Sequence, residues 1–184
     1  KGENPLKNMR PFRTEEMEMA WLTHDQISQL LGECKRHDHP DLETVVRICL
    51  ATGARWSEAE SLKKSQLAKY KITYTNTKGR KNRTVPISKE LYESLPDDKK
   101  DRLFSDCYGA FRSALERTGI ELPAGQLTHV LRHTFASHFM MNGGNILVLQ
   151  RVLGHTDIKM TMRYAHFAPD HLEDAVKLNP LNKQ

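Results

Sequence analysis

Apolar positions along this chain fall into helical spacing in several stretches and into strict alternation in one. Ile27, Leu30, Leu31 and Cys34 form one stripe, and Leu42, Val45, Val46 and Cys49 a second. Phe104, Tyr108, Phe111 and Leu115 line a third helix face, Leu131, Phe135, His138 and Phe139 a fourth. Ile146, Leu149, Val152 and Leu153 mark one more helix. Between them Tyr70, Ile72 and Tyr74 alternate with Lys71, Thr73 and Thr75, the mark of a half-buried strand. A polar turn over 76–82 containing Gly79 leads into a second strand, Arg83 to Ile87. Pro86 cannot donate to a ladder, so that strand lies at an edge or ends there. The expected class is α+β, mostly α-helical, with one small antiparallel hairpin.

Capping residues set the boundaries. Thr23 and Gln26 make a capping box, with Leu22 and Ile27 as a hydrophobic staple. Gly53 ends the second helix, and Ser57 to Glu60 reads as another capping box just after Arg55. Ser88 caps a short helix running to Leu95, and Gly119 closes the Phe111 helix. Thr128 is the expected N-cap of a helix from His129 to about Met141. Gly143-Gly144 stops it, Asn145 caps the next, and Gly154 ends that one in a left-handed turn. Thr156 should cap a further helix with Tyr164 near its end, and Asp170 with Glu173 should box a last short one. Residues 1–20 show no period and read as a linker, 21–168 as one domain, 169–184 as a tail helix. The chain begins with Lys1, which suggests a piece of something longer.

The length of 184 residues suffices for one substantial core. A formal net charge of +5 suits a polyanionic partner, although many basic proteins bind none. No apolar run approaches the ~20 residues of a membrane span, no signal peptide is visible, and a cytoplasmic setting is expected. Cys34, Cys49 and Cys107 are scattered and odd in number, which reads as reduced cysteines. The histidines have no cysteine partners and form no HExxH, so neither a metal nor a cofactor is expected. P-loop, GxGxxG and GxSxG patterns are also lacking.

The candidate chemistry gathers at helix ends. His129 and Arg132 are neighbours on a first turn, where free N–H groups and the helix dipole favour an anion. His155 follows the turn at Gly154, and Tyr164 follows nine residues later. Arg55 sits between two rigid elements and offers a planar pair of donors to phosphate oxygens. Taken singly, each has a plainer reading. Arg55 could pair with Glu58 or Glu60, Lys78 be a solvated turn lysine, His155 a capping group and Tyr164 a core-edge residue. His133 and His138 are assigned to structure, and His166 to solvent.

Together, HVLRH at His129–His133, LGH at Leu153–His155 and Tyr164 resemble the tyrosine recombinases, or phage-type integrases. ATGARWSEAESL and KGRKNRTVPI are similar to that family's two upstream signatures, so the resemblance runs from about Leu22 to Tyr164. It implies a helical catalytic domain, a nucleophilic Tyr164 and a catalytic set of Arg55, Lys78, His129, Arg132 and His155. Arg55 and Arg132 would hold the non-bridging oxygens of a scissile phosphate, replacing a metal. Lys78 would be the acid for the leaving 5′ oxygen, and His129 and His155 hydrogen-bond donors or proton acceptors. The resemblance further implies double-stranded DNA carrying attachment sites as partner, a missing N-terminal DNA-binding region and accessory DNA-bending proteins. It also implies a dimer in solution and a tetramer on DNA, joined through the tail. The expected function is site-specific recombination through a 3′-phosphotyrosyl link that integrates phage DNA. The alternatives are a type IB topoisomerase-like enzyme and a DNA-binding module without catalysis.

Overall fold

A computed structural model describes residues 19–75, 82–97, 101–170 and 172–181. Lys78 and the linker up to residue 18 lie outside the described residues, as does most of the turn that carries Lys78. The chain opens with α1 (His24–Arg36) and α2 (Leu42–Thr52), then a single turn, α3 (Trp56–Glu60). A small sheet follows: β1 (Leu67–Ala68), β2 (Lys71–Tyr74) and β3 (Arg83–Pro86). The helices α4 (Lys89–Glu93), α5 (Tyr108–Thr118), α6 (His129–Met141), α7 (Ile146–Leu153), α8 (Lys159–Met162) and α9 (Asp174–Lys177) complete it.

The sheet is antiparallel in the order β1-β2-β3, with Ile72 opposite Val85 and Lys71 opposite Pro86. Pro86 is therefore both the last residue of its strand and on an edge strand, where its missing N–H costs nothing. β1 was not expected. It is only two residues long, and the turn into β2 uses Tyr70 in the left-handed region at φ 60, where glycine would be the usual signal.

The main core is built by α1, α2 and α5 around Leu30, Val45, Val46, Ile48, Phe111 and Leu115, all buried. A second cluster joins Ala136, Met140, Leu149, Leu153 and Tyr164, with Phe135, Phe139 and Phe167 packed against it. The α6 face differs from the expected stripe. Val130, Leu131, Thr134, Ala136, Ser137 and Met140 are buried, while Phe135, His138 and Phe139 are only half-buried. α6 is thus enclosed on two sides, between the α2 layer and the α7 layer, so no single stripe describes it. His138 has a structural role: its Nε2–H donates to the Leu22 carbonyl at 2.8 Å, and Leu22 N–H donates to Thr134 Oγ1 at 2.9 Å. These bonds tie the start of the domain to the middle of α6, more than a hundred residues away in sequence.

The Thr23–Gln26 box, the Ser88 cap and the Asn145 cap all form. Other caps do not. Thr128 has helical backbone angles, and its turn is closed by the bond from Val130 N–H to the Gln126 carbonyl, so its hydroxyl makes no cap. Ile158, not Thr156, is the N-cap of α8 and gives no side-chain cap, while Asp157 just before it accepts from Lys159 N–H at 2.9 Å. At α3 the box is shifted by two residues: Glu58 reaches back to the Arg55 N–H at 2.9 Å. Asp170 accepts from Leu172 N–H at 3.2 Å without forming a box with Glu173. Phe104 precedes α5, and Tyr108 on its first turn is 45% exposed.

Among the described residues no helix is long and apolar enough to cross a membrane, and no cluster of metal-ligating side chains is present. The three cysteines are free and buried. Desolvation pushes the thiols of Cys34 and Cys107 up to about 12, which makes them inert.

Candidate active site

Arg132 anchors the site. Its guanidinium is 5% exposed and donates to the Gly53 carbonyl at 2.6 Å and the Leu153 carbonyl at 2.7 Å. Those carbonyls stand at the C-terminal ends of α2 and α7, where the helix dipole is negative and carbonyls lack helical partners. One arginine therefore pins three helices together. Gly53 is required for this approach. Its φ is +65, and a Cβ there would stand 2.6 Å from a Phe135 ring carbon and 2.7 Å from a Leu153 methyl. Burial, and then the charges of Arg55 and Arg83, lower the Arg132 pKa to about 10, so it stays charged at neutral pH.

His155 is placed by the left-handed turn at Gly154, φ 69, which ends α7. Arg132 Nη2 donates to His155 Nε2 at 3.1 Å. A guanidinium has no acceptor, so Nε2 must be the unprotonated nitrogen, and Nδ1–H donates to Thr161 Oγ1 at 2.8 Å. Desolvation and the Arg132 charge lower the pKa of this imidazole to about 4. It is a neutral, fixed ring.

Arg55 lies at the N-terminal end of α3 and pairs with Glu58 at 3.1 Å, as the plainer reading had it. The pairing is not a loose surface one. Glu58 also receives both terminal nitrogens of Arg83, at 3.0 and 2.6 Å, and Arg83 Nε donates to the Val152 carbonyl at 2.8 Å. Arg83 lies over the Tyr74 ring, 4.5 Å from its centroid, and the Tyr74 hydroxyl meets Thr52 Oγ1 at 2.8 Å. Burial opposes charge on Glu58, but the Arg83 bonds, the Arg55 N–H and both guanidinium charges outweigh it and hold the carboxyl at about 2. Glu58 fixes Arg55 and locks the sheet to α7 at once.

Tyr164 follows α8, is 2% exposed, and sits in the second core cluster. Its hydroxyl is 2.7 Å from His133 Nδ1. Desolvation raises the phenol above its ordinary value, against a smaller opposing pull from Arg132 and Arg163. Desolvation, then the charge of His129 and of Arg163, lowers His133 to about 4. His129 itself is exposed at the start of α6, its ring 6.3 Å from that of His133.

A pocket of about 300 Å³ collects these groups: Arg55, His129, Arg132, His155 and Tyr164 line it, together with His133, Met160 and Arg163. Five of the sequence-predicted residues are thus brought together, and the sixth, Lys78, is outside the described residues. A larger groove of about 630 Å³ lies elsewhere, between α1, α2 and α4, and contains none of them. Residues 20–171 match the model of the phage integrase family. The chain belongs to the phage integrase family. It is 98% identical over 181 residues to the integrase of Escherichia phage 186, covering 98% of this chain and 54% of that protein. The catalytic domain of bacteriophage HP1 integrase superposes with a TM-score of 0.87 at 66% identity, over 91% of this chain and all of that one. A XerH site-specific recombinase bound to a palindromic difH substrate shares the fold, with a TM-score of 0.68 at 23% identity over 94% of this chain and 57% of that one. This phage integrase family chain spans about half the length of the curated integrases it matches.

His133, Glu58 and Arg83 were not picked out as site residues from the sequence. For His133 a signal existed: it stands four residues after His129, one helical turn along the same face. For the Glu58–Arg83 pair none did, since their contact spans 25 residues and depends on how the hairpin docks.

Proposed function

We propose that this chain is the strand-cleaving part of a site-specific DNA recombinase of the phage integrase type. The observation that carries the reading is that Tyr164, Arg55 and Arg132 line one pocket, with His129 and His155 beside them. A phosphodiester is the substrate such a set fits: one oxygen nucleophile and two planar cations for its anionic oxygens.

Tyr164 Oη attacks phosphorus, a 3′-phosphotyrosyl bond forms, and the bond to the 5′ oxygen breaks. The leaving oxygen takes its proton from a general acid, for which the family resemblance offers Lys78. Arg55 and Arg132 carry the charge of the crowded phosphoryl transition state. His155, its Nε2 occupied by Arg132, orients that guanidinium and has no lone pair left to take a proton. The phosphotyrosyl link retains the energy of the diester, so a 5′ hydroxyl from another duplex rejoins it without ATP. Double-stranded DNA is the partner, and the net charge of +5 suits it. The XerH recombinase is bound to a palindromic difH substrate in a post-cleavage complex, and the Tn1549 transposon integrase to circular intermediate DNA. We extend that partner class to this chain, with integration of phage DNA as the biological outcome.

The test is covalent capture on a nicked duplex whose 5′ product strand diffuses away. A band shifted by the mass of the chain is expected, formed equally in EDTA, and lost in Tyr164→Phe while DNA binding persists. An adduct that survives Tyr164→Phe overturns the reading. Relaxation of supercoiled plasmid irrespective of sequence would place the chemistry with topoisomerases instead.

A further inference from the structure

We propose that His133 is the base that takes the phenolic proton of Tyr164 during strand cleavage and returns it during rejoining; this rests on the reading of Tyr164 as nucleophile. The phenol oxygen and His133 Nδ1 are 2.7 Å apart, and no other ring nitrogen among the described residues is recorded within bonding distance of that oxygen. His155, the other buried histidine of the pocket, has Nε2 committed to Arg132 and Nδ1–H to Thr161. His129 is exposed and is recorded against the His133 ring rather than against the tyrosine.

In the resting pair the phenol is the protonated partner and donates to Nδ1, so the neutral ring carries its own hydrogen on Nε2. On attack, the Tyr164 O–H proton moves to Nδ1 as the Oη–P bond forms and the bond from phosphorus to the 5′ oxygen breaks. His133 is then an imidazolium. On rejoining, the incoming 5′ oxygen displaces Tyr164, and Nδ1–H returns the proton to the phenolate. No other reactant is needed, and each step is the reverse of the other. The groups facing His133 are Tyr164 and Arg163 from the segment after α8, and His129 and Arg132 from its own helix. Burial, and then the positive charge around it, keeps the ring unprotonated at rest, so it is ready to accept across the neutral range. The new phosphotyrosyl anion would in turn stabilise the imidazolium once it forms.

The test uses DNA in which sulfur replaces the 5′-bridging oxygen of the scissile phosphate. A thiolate leaves without a proton, so a defect in the general acid disappears on this substrate and a defect in the base does not. His133→Asn retains a hydrogen-bonding group near Nδ1 but cannot take a proton at neutral pH. We expect its cleavage rate to fall by about 100-fold or more on both substrates, the range of general base catalysis, with DNA binding and melting temperature retained. Its residual rate should rise about tenfold per pH unit, because hydroxide must then remove the phenolic proton. Cleavage by His133→Asn near the unaltered rate would reduce His133 to a positioning contact and overturn the proposal, while leaving Tyr164 in place. Adducts in Tyr164→Phe would overturn both. If His133→Asn melts early, the unaltered chain decides: its sulfur-substrate rate should be flat from pH 6 to 8, and a tenfold rise per unit overturns the proposal.

Discussion

Replacing Glu58 by Gln should cost this domain about 3 kcal/mol, a value that follows from the bonds it would lose. The carboxylate accepts from Arg55 Nη1 and Arg83 Nη1 on one oxygen, and from Arg55 N–H and Arg83 Nη2 on the other. Glutamine keeps one oxygen and places an NH₂ group where two donors already point. Bonds to charged groups contribute roughly 1.5–3 kcal/mol each, and Arg83, with its side chain 6% exposed, is left as a buried cation without its counter-charge. For a domain of this size the loss lowers Tm by roughly 6–12 °C. Urea denaturation at pH 7 measures it. The double variant Glu58→Gln/Arg83→Met should then recover part of the loss, because the stranded cation is gone. The pH dependence gives a second check. Glu58 is held near 2, below its ordinary 4.5, so its contribution is complete above 4.5 and is lost as pH falls toward 2. That slope should be shallower in Glu58→Gln. A loss at pH 7 below about 1 kcal/mol, or no recovery in the double variant, would refute the account of Glu58 as the lock between Arg55 and the sheet.

Arg132→Lys keeps a charge but cannot bridge the Gly53 and Leu153 carbonyls while also reaching His155; cleavage should fall by orders of magnitude, with melting temperature lowered and DNA affinity reduced only modestly in a filter-binding assay. Gly53→Ala should destabilise by about 2 kcal/mol or more, since it adds a left-handed strain to contacts of 2.6 and 2.7 Å, and thermal melting checks it. His133 and His155 are both held near 4, below their ordinary 6.5, so the fold should lose stability as pH drops from about 6.5 toward 4, and His133→Asn should remove part of that slope in acid melts. Truncation after Phe167 removes Leu172, Val176, Leu178 and Leu181, which are 72–88% exposed, and light scattering should show a smaller assembly than the intact chain gives.

What the sequence disclosed follows the range of the interactions involved. Helices such as α1 and α7 declare themselves because stripe and cap lie within a few residues of each other, as with Thr23, Gln26 and Leu30, or Asn145, Leu149 and Gly154. Thr128 misled because a backbone turn through Gln126 had already taken the N–H that its hydroxyl would have bonded. β1 was hidden because two residues show no period and its turn relies on Tyr70 at φ 60. The site residues on α6, at the α7 end and at Tyr164 were legible as ordered blocks, yet their partners were not. The sequence placed Arg55 beside Glu58, but it could not show that Arg83 would cross from the hairpin and turn a surface pair into a buried one.

Burial, joined by the charge pattern of the pocket, keeps His133 and His155 neutral, and burial keeps Tyr164 protonated against the pull of Arg132 and Arg163. Arg55, Arg132 and Arg163 line the pocket, and no carboxylate does among the described residues, since Glu58 stands behind Arg55 rather than in the cavity. Arg132 is kept there by the carbonyl ends of α2 and α7, which carry only partial negative charge. Positive charge is therefore under-compensated, and burial together with that excess lowers His155 and His133 to about 4. In the proposed reading, an incoming phosphodiester supplies the anion that the fold withholds. Its arrival favours every positively charged form in the pocket, including a protonated His133, and so eases removal of the Tyr164 proton when a phosphate is in place to be attacked. Without the phosphate, a buried phenol beside a neutral imidazole keeps its proton, so on this reading Tyr164 becomes a nucleophile only when its substrate is in place.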